Sequence, residues 1–295
     1  ENWNASRFPA RHGGTGNGDS APITHKGRRK RRGSGGRTAQ AANAAFARAA
    51  SAVKNQEVAV MNIVIYNEGI HDKEEFIKKV YPEGLHGQLK HILDDGSNNI
   101  TVVTLDNVND ITEELLAKTD VMLWWGHIAH HMVPDEVSNR VAQAVQKGMG
   151  FIALHSAHMS KPFRQLMGTT CTLKWRDDDS ERLWVTAPSH PIAEGLPEHF
   201  ELPQEEMYGE FFDIPKPDDV VFMGWFTGGE LFRSGVTFNR GLGRVFYFQP
   251  GHEAFPTYFN ENVEKIIRNA VKWAAPTKRL ERLDCPCYQK LEAVK

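Results

Sequence analysis

The chain has 295 residues and a formal net charge of −2, which divides into +8 over residues 1–60 and −10 over residues 61–295. The acidic part is long enough to bury a full core as one domain. Its longest uncharged run, between Asp120 and Asp135, is too short and too rich in histidine for a membrane span. Three cysteines, Cys171, Cys285 and Cys287, exclude a disulfide framework and suit a reducing cytoplasm; the Cys285-Pro286-Cys287 pair is read as incidental rather than as a metal knuckle.

Residues 1–60 are rich in Gly, Ala, Arg and Ser and lack apolar periodicity. Their one concentrated feature is Arg28-Arg29-Lys30-Arg31-Arg32. A basic run of this kind can bind nucleic acid or act as a localisation signal, but the plainer reading is a solvated, disordered arm. No apolar segment follows it, so it is not a secretory signal. Gln56-Glu57-Val58 can be encoded CAG-GAG-GTN, a ribosome-binding sequence suitably spaced before Met61. The expectation is that the natural protein starts at Met61 and that the arm is upstream sequence read in frame; codons CAA or GAA at Gln56 and Glu57 would sink it. On that reading the basic run implies no nucleic-acid partner.

From Met61 short apolar runs alternate with helical patterns. Strands are predicted at 62–66, 100–105, 120–125 and 150–154, the first with the continuous apolar character of a strand covered on both faces. A helix is predicted over 73–94, with a break at Pro82. Another follows Pro134, with Asp135 and Glu136 in its first turn, an apolar stripe of Val137, Val141, Ala144 and Val145, and a stop at Lys147-Gly148. Later runs at 183–186, 220–226, 235–238 and 245–248 read as a sheet extension with antiparallel strands. A final amphipathic helix over 261–275 ends at Pro276, leaving 277–295 as a tail. This alternation is the pattern of an open, mostly parallel α/β sheet with helices on both faces.

In such sheets ligands bind outside the carboxyl ends of the strands. Three predicted strands run into histidine: Gly126-His127, His155-Ser156-Ala157-His158 and Pro250-Gly251-His252-Glu253. If those strands are parallel, the histidines share one rim. His155 falls at a sharp strand-to-helix turn, where α/β enzymes expose a nucleophile. Imidazole suits metal ligation or proton transfer better than nucleophilic attack, and Ser156 lacks the G-x-S-x-G frame of a serine nucleophile. Carboxylates come from Glu205-Glu206-Met207-Tyr208-Gly209-Glu210, interleaved with apolar side chains that imply partial burial and a charged partner. Glu230 and Arg233 sit together in a glycine-flanked turn, as a structural ion pair or as a clamp on a substrate. Imidazoles with one or two carboxylates suit Zn²⁺ or Mn²⁺, although no local H-E-x-x-H spacing is present.

Taken in order, Trp124-Trp125-Gly126-His127, Leu154-His155-Ser156-Ala157-His158, Lys174-Trp175-Arg176, His190-Pro191-Ile192, Glu205–Glu210, Gly229–Gly235 and Pro250-Gly251-His252-Glu253 resemble the trehalose-utilisation (ThuA-like) family over Met61 to Ala275. The resemblance implies a flavodoxin-like, class I glutamine amidotransferase-like fold over 61–276. It also implies a bacterial role in processing disaccharides related to trehalose, on sugars oxidised to keto derivatives by a partner dehydrogenase. In the amidotransferases a nucleophilic Cys occupies the elbow that here carries His155, so glutamine hydrolysis through a thioester is not expected. Their His and Glu two residues apart are echoed by adjacent His252-Glu253.

The expected function is metal-assisted hydrolysis or isomerisation of a disaccharide or keto-sugar; the alternative is a non-catalytic sugar-binding or regulatory module. Catalytic roles are assigned to His155, His252, Glu206 and Glu210, and metal ligation to His127, His155, His158 and His252. Substrate contacts are assigned to Trp125, Tyr208, Glu230 and Arg233. Trp124 is a further aromatic candidate, with at least one of the two tryptophans expected in the core. The expected cofactor is a divalent metal, Zn or Mn, without a nucleotide; the expected location is cytoplasmic, with no membrane or nucleic-acid partner and with homo-oligomerisation left open.

Overall fold

A computed structural model describes residues 60–292; all of the basic arm but Val60 lies outside the described residues. Strands β1 (Asn62–Asn67), β2 (Asn99–Thr104), β3 (Val121–Trp125) and β4 (Gly150–Leu154) are followed by β5 (Lys174–Val185), β6 (His199–Gly209), β7 (Asp219–Phe226), β8 (Leu231–Arg240) and β9 (Gly243–Phe248). They form one sheet in the order β2-β1-β3-β4-β9-β8-β7-β5-β6. The first five in that order pair in parallel, as the flavodoxin-like reading requires, and the rest are antiparallel. Strands β5 to β8 are thus an insertion between the fourth and fifth parallel strands.

The helices are α1 (Glu75–Val80), α2 (Gly84–Leu93), α3 (Glu113–Lys118), α4 (Asp135–Lys147), α5 (Lys161–Met167) and α6 (Glu261–Ala274). The break predicted at Pro82 separates α1 from α2. Side chains of β1 alternate between two cores: Val64 and Tyr66 join Val137 and Val141 of α4 on one face, while Ile63 and Ile65 join Leu85 and Leu89 of α2 and Ile266 and Ile267 of α6 on the other. Helix α6 starts cleanly because the Asn260 side chain accepts the amides of Asn262 and Val263. Among the described residues no helix is long and apolar enough to cross a membrane, and the three cysteines are free.

Strand β6 and the first half of β5 are additional to the predicted strands. The run Lys174–Arg182 is dominated by charge, and Pro203 interrupts β6, yet the two strands pair antiparallel through register shifts on both sides of Asp179. At the sheet edge, a strand with one neighbour tolerates Pro and bulges. The tail from residue 277 carries no helix or strand among the described residues. Its start is held where Leu280 N donates to Lys147 O and Arg279 pairs with Asp120 at 3.0 Å.

Candidate functional site

Because β3, β4 and β9 are parallel neighbours, the segments after them converge at one rim. After β3, the Glu68 carboxylate, just past the end of β1, accepts the amides of Ile128 and Ala129 at 3.0 Å each, which fixes the turn bearing His127. After β4 the backbone turns at His155 with φ +52°, left-handed and rare for a residue with a Cβ, and enters a 3-10 turn, His155–Met159, before α5. After β9 the chain reaches Gly251, where φ is +133° and an added Cβ would lie 2.1 Å from Tyr258 Oη, so only glycine fits. Gly251 O accepts the Trp125 indole N–H at 3.0 Å.

Strand β6 supplies the acid side. Glu206 and Tyr208, two residues apart, face His155 together: Glu206 Oε2 lies 3.0 Å from His155 Nε2, and the Tyr208 ring stacks on the imidazole with centroids 5.2 Å apart. Glu205 faces the other way. Its two oxygens accept Gly251 N at 3.0 Å, His252 N at 3.1 Å, Glu206 N at 3.1 Å and Thr257 Oγ1 at 2.8 Å. Glu205 is therefore a positioning residue for the His252 turn. Glu205→Ala would leave those donors buried and unmatched, a loss of about 3 kcal/mol. The expected fall in Tm is about 6–12 °C; a change of a degree or less in a thermal scan would show that the turn holds itself.

The rings of His127, His155 and His252 form a near-equilateral triangle with centroids 5.2 to 5.6 Å apart. One ligand atom from each, with one from Glu206, lies within 4.8 Å of the others. Hydrogen bonds assign the ring protons. His155 Nδ1 donates to Gln249 O at 3.0 Å and His127 Nδ1 to Glu253 Oε1 at 2.9 Å, so each ring turns its Nε2 into the site. His252 Nδ1 accepts the Ala254 amide at 3.1 Å, which places its proton on Nε2 and makes it a donor.

Burial disfavours the charged form of His155, but the Glu206 carboxylate at 3.0 Å, with Glu205 and Glu253 behind it, raises its pKa to about 9. Burial and the neighbouring His155 lower His252 to about 4, so it is neutral at pH 7. Burial alone would raise Glu253; the His127 hydrogen bond and the surrounding imidazoles outweigh it and bring Glu253 down to about 2.

The structure thus brings together His127, His155, His252 and Glu206. His158 stays outside that group, although it lines the adjoining cleft: its Nδ1 donates to Cys171 O at 2.7 Å, its ring lies edge-on to Tyr208, Phe212 and Tyr247, and burial lowers its pKa to about 3. Glu210 is held by Arg233 through two bonds of 2.7 and 2.8 Å, away from the histidines. Of the two readings of Glu230 and Arg233, the ion pair between them does not form; Glu230 binds Arg176 instead, at 2.7 and 2.9 Å. Trp125 is fully buried at the centre of a covered sheet, as is Trp124, so neither offers a face to a ligand. Tyr208 lines the cleft, but His155 covers its ring, leaving the hydroxyl as its polar contact, 2.6 Å from Ser156 Oγ and 3.4 Å from His155 Nε2.

Glu205, Glu253 and Gln249 are site residues that the sequence reading did not single out. Their signal was adjacency to Glu206 and His252. Trp175 and Asp177 also line the cleft, of about 480 Å³, which opens over His127, Glu206 and Tyr208.

The trehalose utilisation family profile, ThuA, matches residues 59–274. A ThuA-like protein of Parabacteroides merdae superposes with a TM-score of 0.58 at 16% identity, over 76% of this chain and 92% of that one. One from Bacteroides uniformis gives 0.57 at 16% identity, over 76% and 95%. A cytoplasmic protein of Salmonella typhimurium LT2 gives 0.51 at 17% identity, over 73% and 100%. No curated protein matches the chain. At these identities the structures share the fold alone, whereas the family match runs from β1 through α6 and includes every rim side chain described above; the chain belongs to the trehalose utilisation (ThuA) family.

Proposed function

We propose that the rim site holds a divalent cation, Zn²⁺ or Mn²⁺, and acts on the carbonyl-bearing form of a disaccharide or related sugar that a partner sugar dehydrogenase provides. The observation that carries this reading is the convergence of His127, His155, His252 and Glu206, with ligand atoms within 4.8 Å of one another. The donor set fits such an ion. The Nε2 atoms of His127 and His155 face the site, and Glu206 Oε2 is buried without a hydrogen-bond partner, 3.0 Å from His155 Nε2; a cation bound there would displace the proton that His155 otherwise holds toward Glu206. Nitrogen and carboxylate ligands of this kind suit Zn²⁺ and Mn²⁺. Glu253 behind His127 and the Gln249 carbonyl behind His155 orient the two rings as outer partners of metal-binding histidines do.

His127, His155 and Glu206 are the holders, and a cation bound there supplies Lewis-acid polarisation of a carbonyl. The remaining groups handle protons and orientation. His252 Nε2–H is a neutral donor beside the site, and the Ser156 and Tyr208 hydroxyls form a short hydrogen-bonded pair that reaches from the cleft to His155. The nucleophile's elbow is occupied by imidazole, so thioester chemistry on glutamine has no carrier there. The three free cysteines favour a reducing, cytoplasmic setting.

Elemental analysis of the purified protein tests the reading. About one Zn or Mn per chain is expected, with chelation abolishing turnover of a keto-disaccharide and the metal restoring it. A metal-free protein that binds sugars without turning them over would identify a binding module instead.

A further inference from the structure

The rim has a fourth strand end, and the site described above leaves its histidine unused. Strand β1 is a parallel neighbour of β3, with Asn67 opposite Trp125, so the chain leaving β1 emerges beside the turn that bears His127. Its first turn, His71–Lys73, puts a second imidazole there. The His71 and His127 rings have centroids 5.2 Å apart, and Glu253 contacts both, with Oε1 2.9 Å from His127 Nδ1 and 3.4 Å from His71 Nε2. His71 Nδ1 faces Glu74 Oε1 at 3.1 Å, which turns Nε2 toward Glu253. One ligand atom from each of His71, His127 and Glu253 lies within 4.8 Å of the others.

Two buried atoms in this group have no hydrogen-bond partner, His71 Nε2 and Glu253 Oε2. Glu253 is 4% exposed, and among the described residues its ion-pair contacts are with imidazoles alone, no Lys or Arg reaching it. Glu206 shows the same pattern: it is buried, keeps one oxygen unpartnered and has an imidazole as its ion-pair contact. A buried carboxylate with a free oxygen among ring nitrogens calls for a cation. The first cation takes Glu206 with the Nε2 atoms of His127 and His155, and it leaves Glu253 and His71 unserved.

We infer that His71, His127 and Glu253 form a second zinc site, and that the His127 imidazole bridges the two ions, Nε2 to the first and Nδ1 to the second. Two ring nitrogens and a carboxylate oxygen are a donor set that zinc accepts. The second ion displaces the His127 Nδ1 proton to solvent, so Glu253 changes from the hydrogen-bond partner of that ring to a ligand, and the imidazolate and the carboxylate together balance the charge of the ion. Because that proton must leave, the second site is the weaker of the two and fills on added zinc. This rests on the proposal that the rim holds a first cation.

The test is equilibrium dialysis of the purified, metal-bearing protein against zinc chloride, read by elemental analysis. The expected result is about one further zinc per chain. His71→Ala and His71→Gln should each weaken that second zinc by about a hundredfold or more while keeping the first. Cobalt loaded into both places should show magnetic exchange coupling through the shared ring, absent from His71→Ala. Refusal of a further zinc, or a further zinc held equally well by both His71 variants, would overturn the inference and leave the first cation in place. A further zinc lost with Cys285→Ser and Cys287→Ser would belong to the exposed thiols of the tail and would overturn it as well. Cobalt ions without coupling would overturn the bridge. A protein that binds no cation at all would overturn both this inference and the reading it rests on.

Discussion

Replacing His155, one of the three proposed holders of the cation, should remove the metal and lower turnover by about 10² or more, the several kcal/mol of charge stabilisation that a catalytic ion supplies. The geometry makes this residue more demanding than its neighbours. It is fully buried, its Nδ1 is fixed by Gln249 O at 3.0 Å, and its Nε2 is the nearest donor to Glu206. His155→Ala has two structural consequences besides: the Glu206 carboxylate loses its charge partner, which costs about 3 kcal/mol or more for a buried ion, and alanine must adopt φ +52°. His155→Asn separates function from folding, since asparagine enters the left-handed region readily and its amide can still meet Gln249 O. The asparagine variant should melt above the alanine variant, because the backbone cost is removed and only the Glu206 charge partner is lost, while losing metal and activity just as completely. An asparagine protein that retains stoichiometric metal and turns over within threefold of the natural rate would remove His155 from the site.

The parallel core was legible because its strands are short, continuous apolar runs, and because α4 opens on Pro134, Asp135 and Glu136 and stops at Gly148 while α6 stops before Pro276. The same regularity made the rim legible: once β3, β4 and β9 are parallel neighbours, histidines following each must meet. Side chains whose partners are set by antiparallel register were not. Glu230 and Arg233 are three residues apart, yet they span the turn into β8 and bind Arg176 and Glu210 from other strands. The charged first half of β5 and the Pro-broken β6 carry no strand pattern, because what holds them as strands is pairing at a sheet edge rather than apolar alternation. Trp125 illustrates the reverse error. Proximity to His127 in sequence suggested a ligand contact, but alternation along a strand covered on both faces puts its ring into the core, where its N–H steadies Gly251 from below.

Glu181 gives the other large effect, and here pH is the variable. It lies in β5, fully buried, with Oε1 accepting Ser234 Oγ at 2.6 Å and Oε2 without a partner. Burial, reinforced by the charge of Glu205, raises its pKa from 4.5 to about 8 against the opposing Ser234 bond and His155 charge. The folded protein therefore keeps a proton on Glu181 that the unfolded chain releases above about pH 4.5. Stability from this group is present in full below that pH and falls by about 1.4 kcal/mol per unit as pH rises toward 8, where the loss is complete. Glu181→Gln keeps an acceptor for Ser234 and carries no charge at any pH. The natural chain should be less stable at pH 8 than at pH 5 by an amount the variant does not show. The two should differ by about 3 kcal/mol more at pH 8 than at pH 5, about 6–12 °C in Tm for a domain of this size. Denaturation curves that shift in parallel for both proteins would mean that Glu181 ionises as an ordinary carboxyl. A neutral Glu181 also bears on the rim, because its charge would otherwise act on both Glu205 and His155. Keeping it protonated leaves Glu206 as the carboxylate that pairs directly with His155, so in the natural chain the His155–Glu206 pair should feel the Glu181 charge only as pH passes about 8.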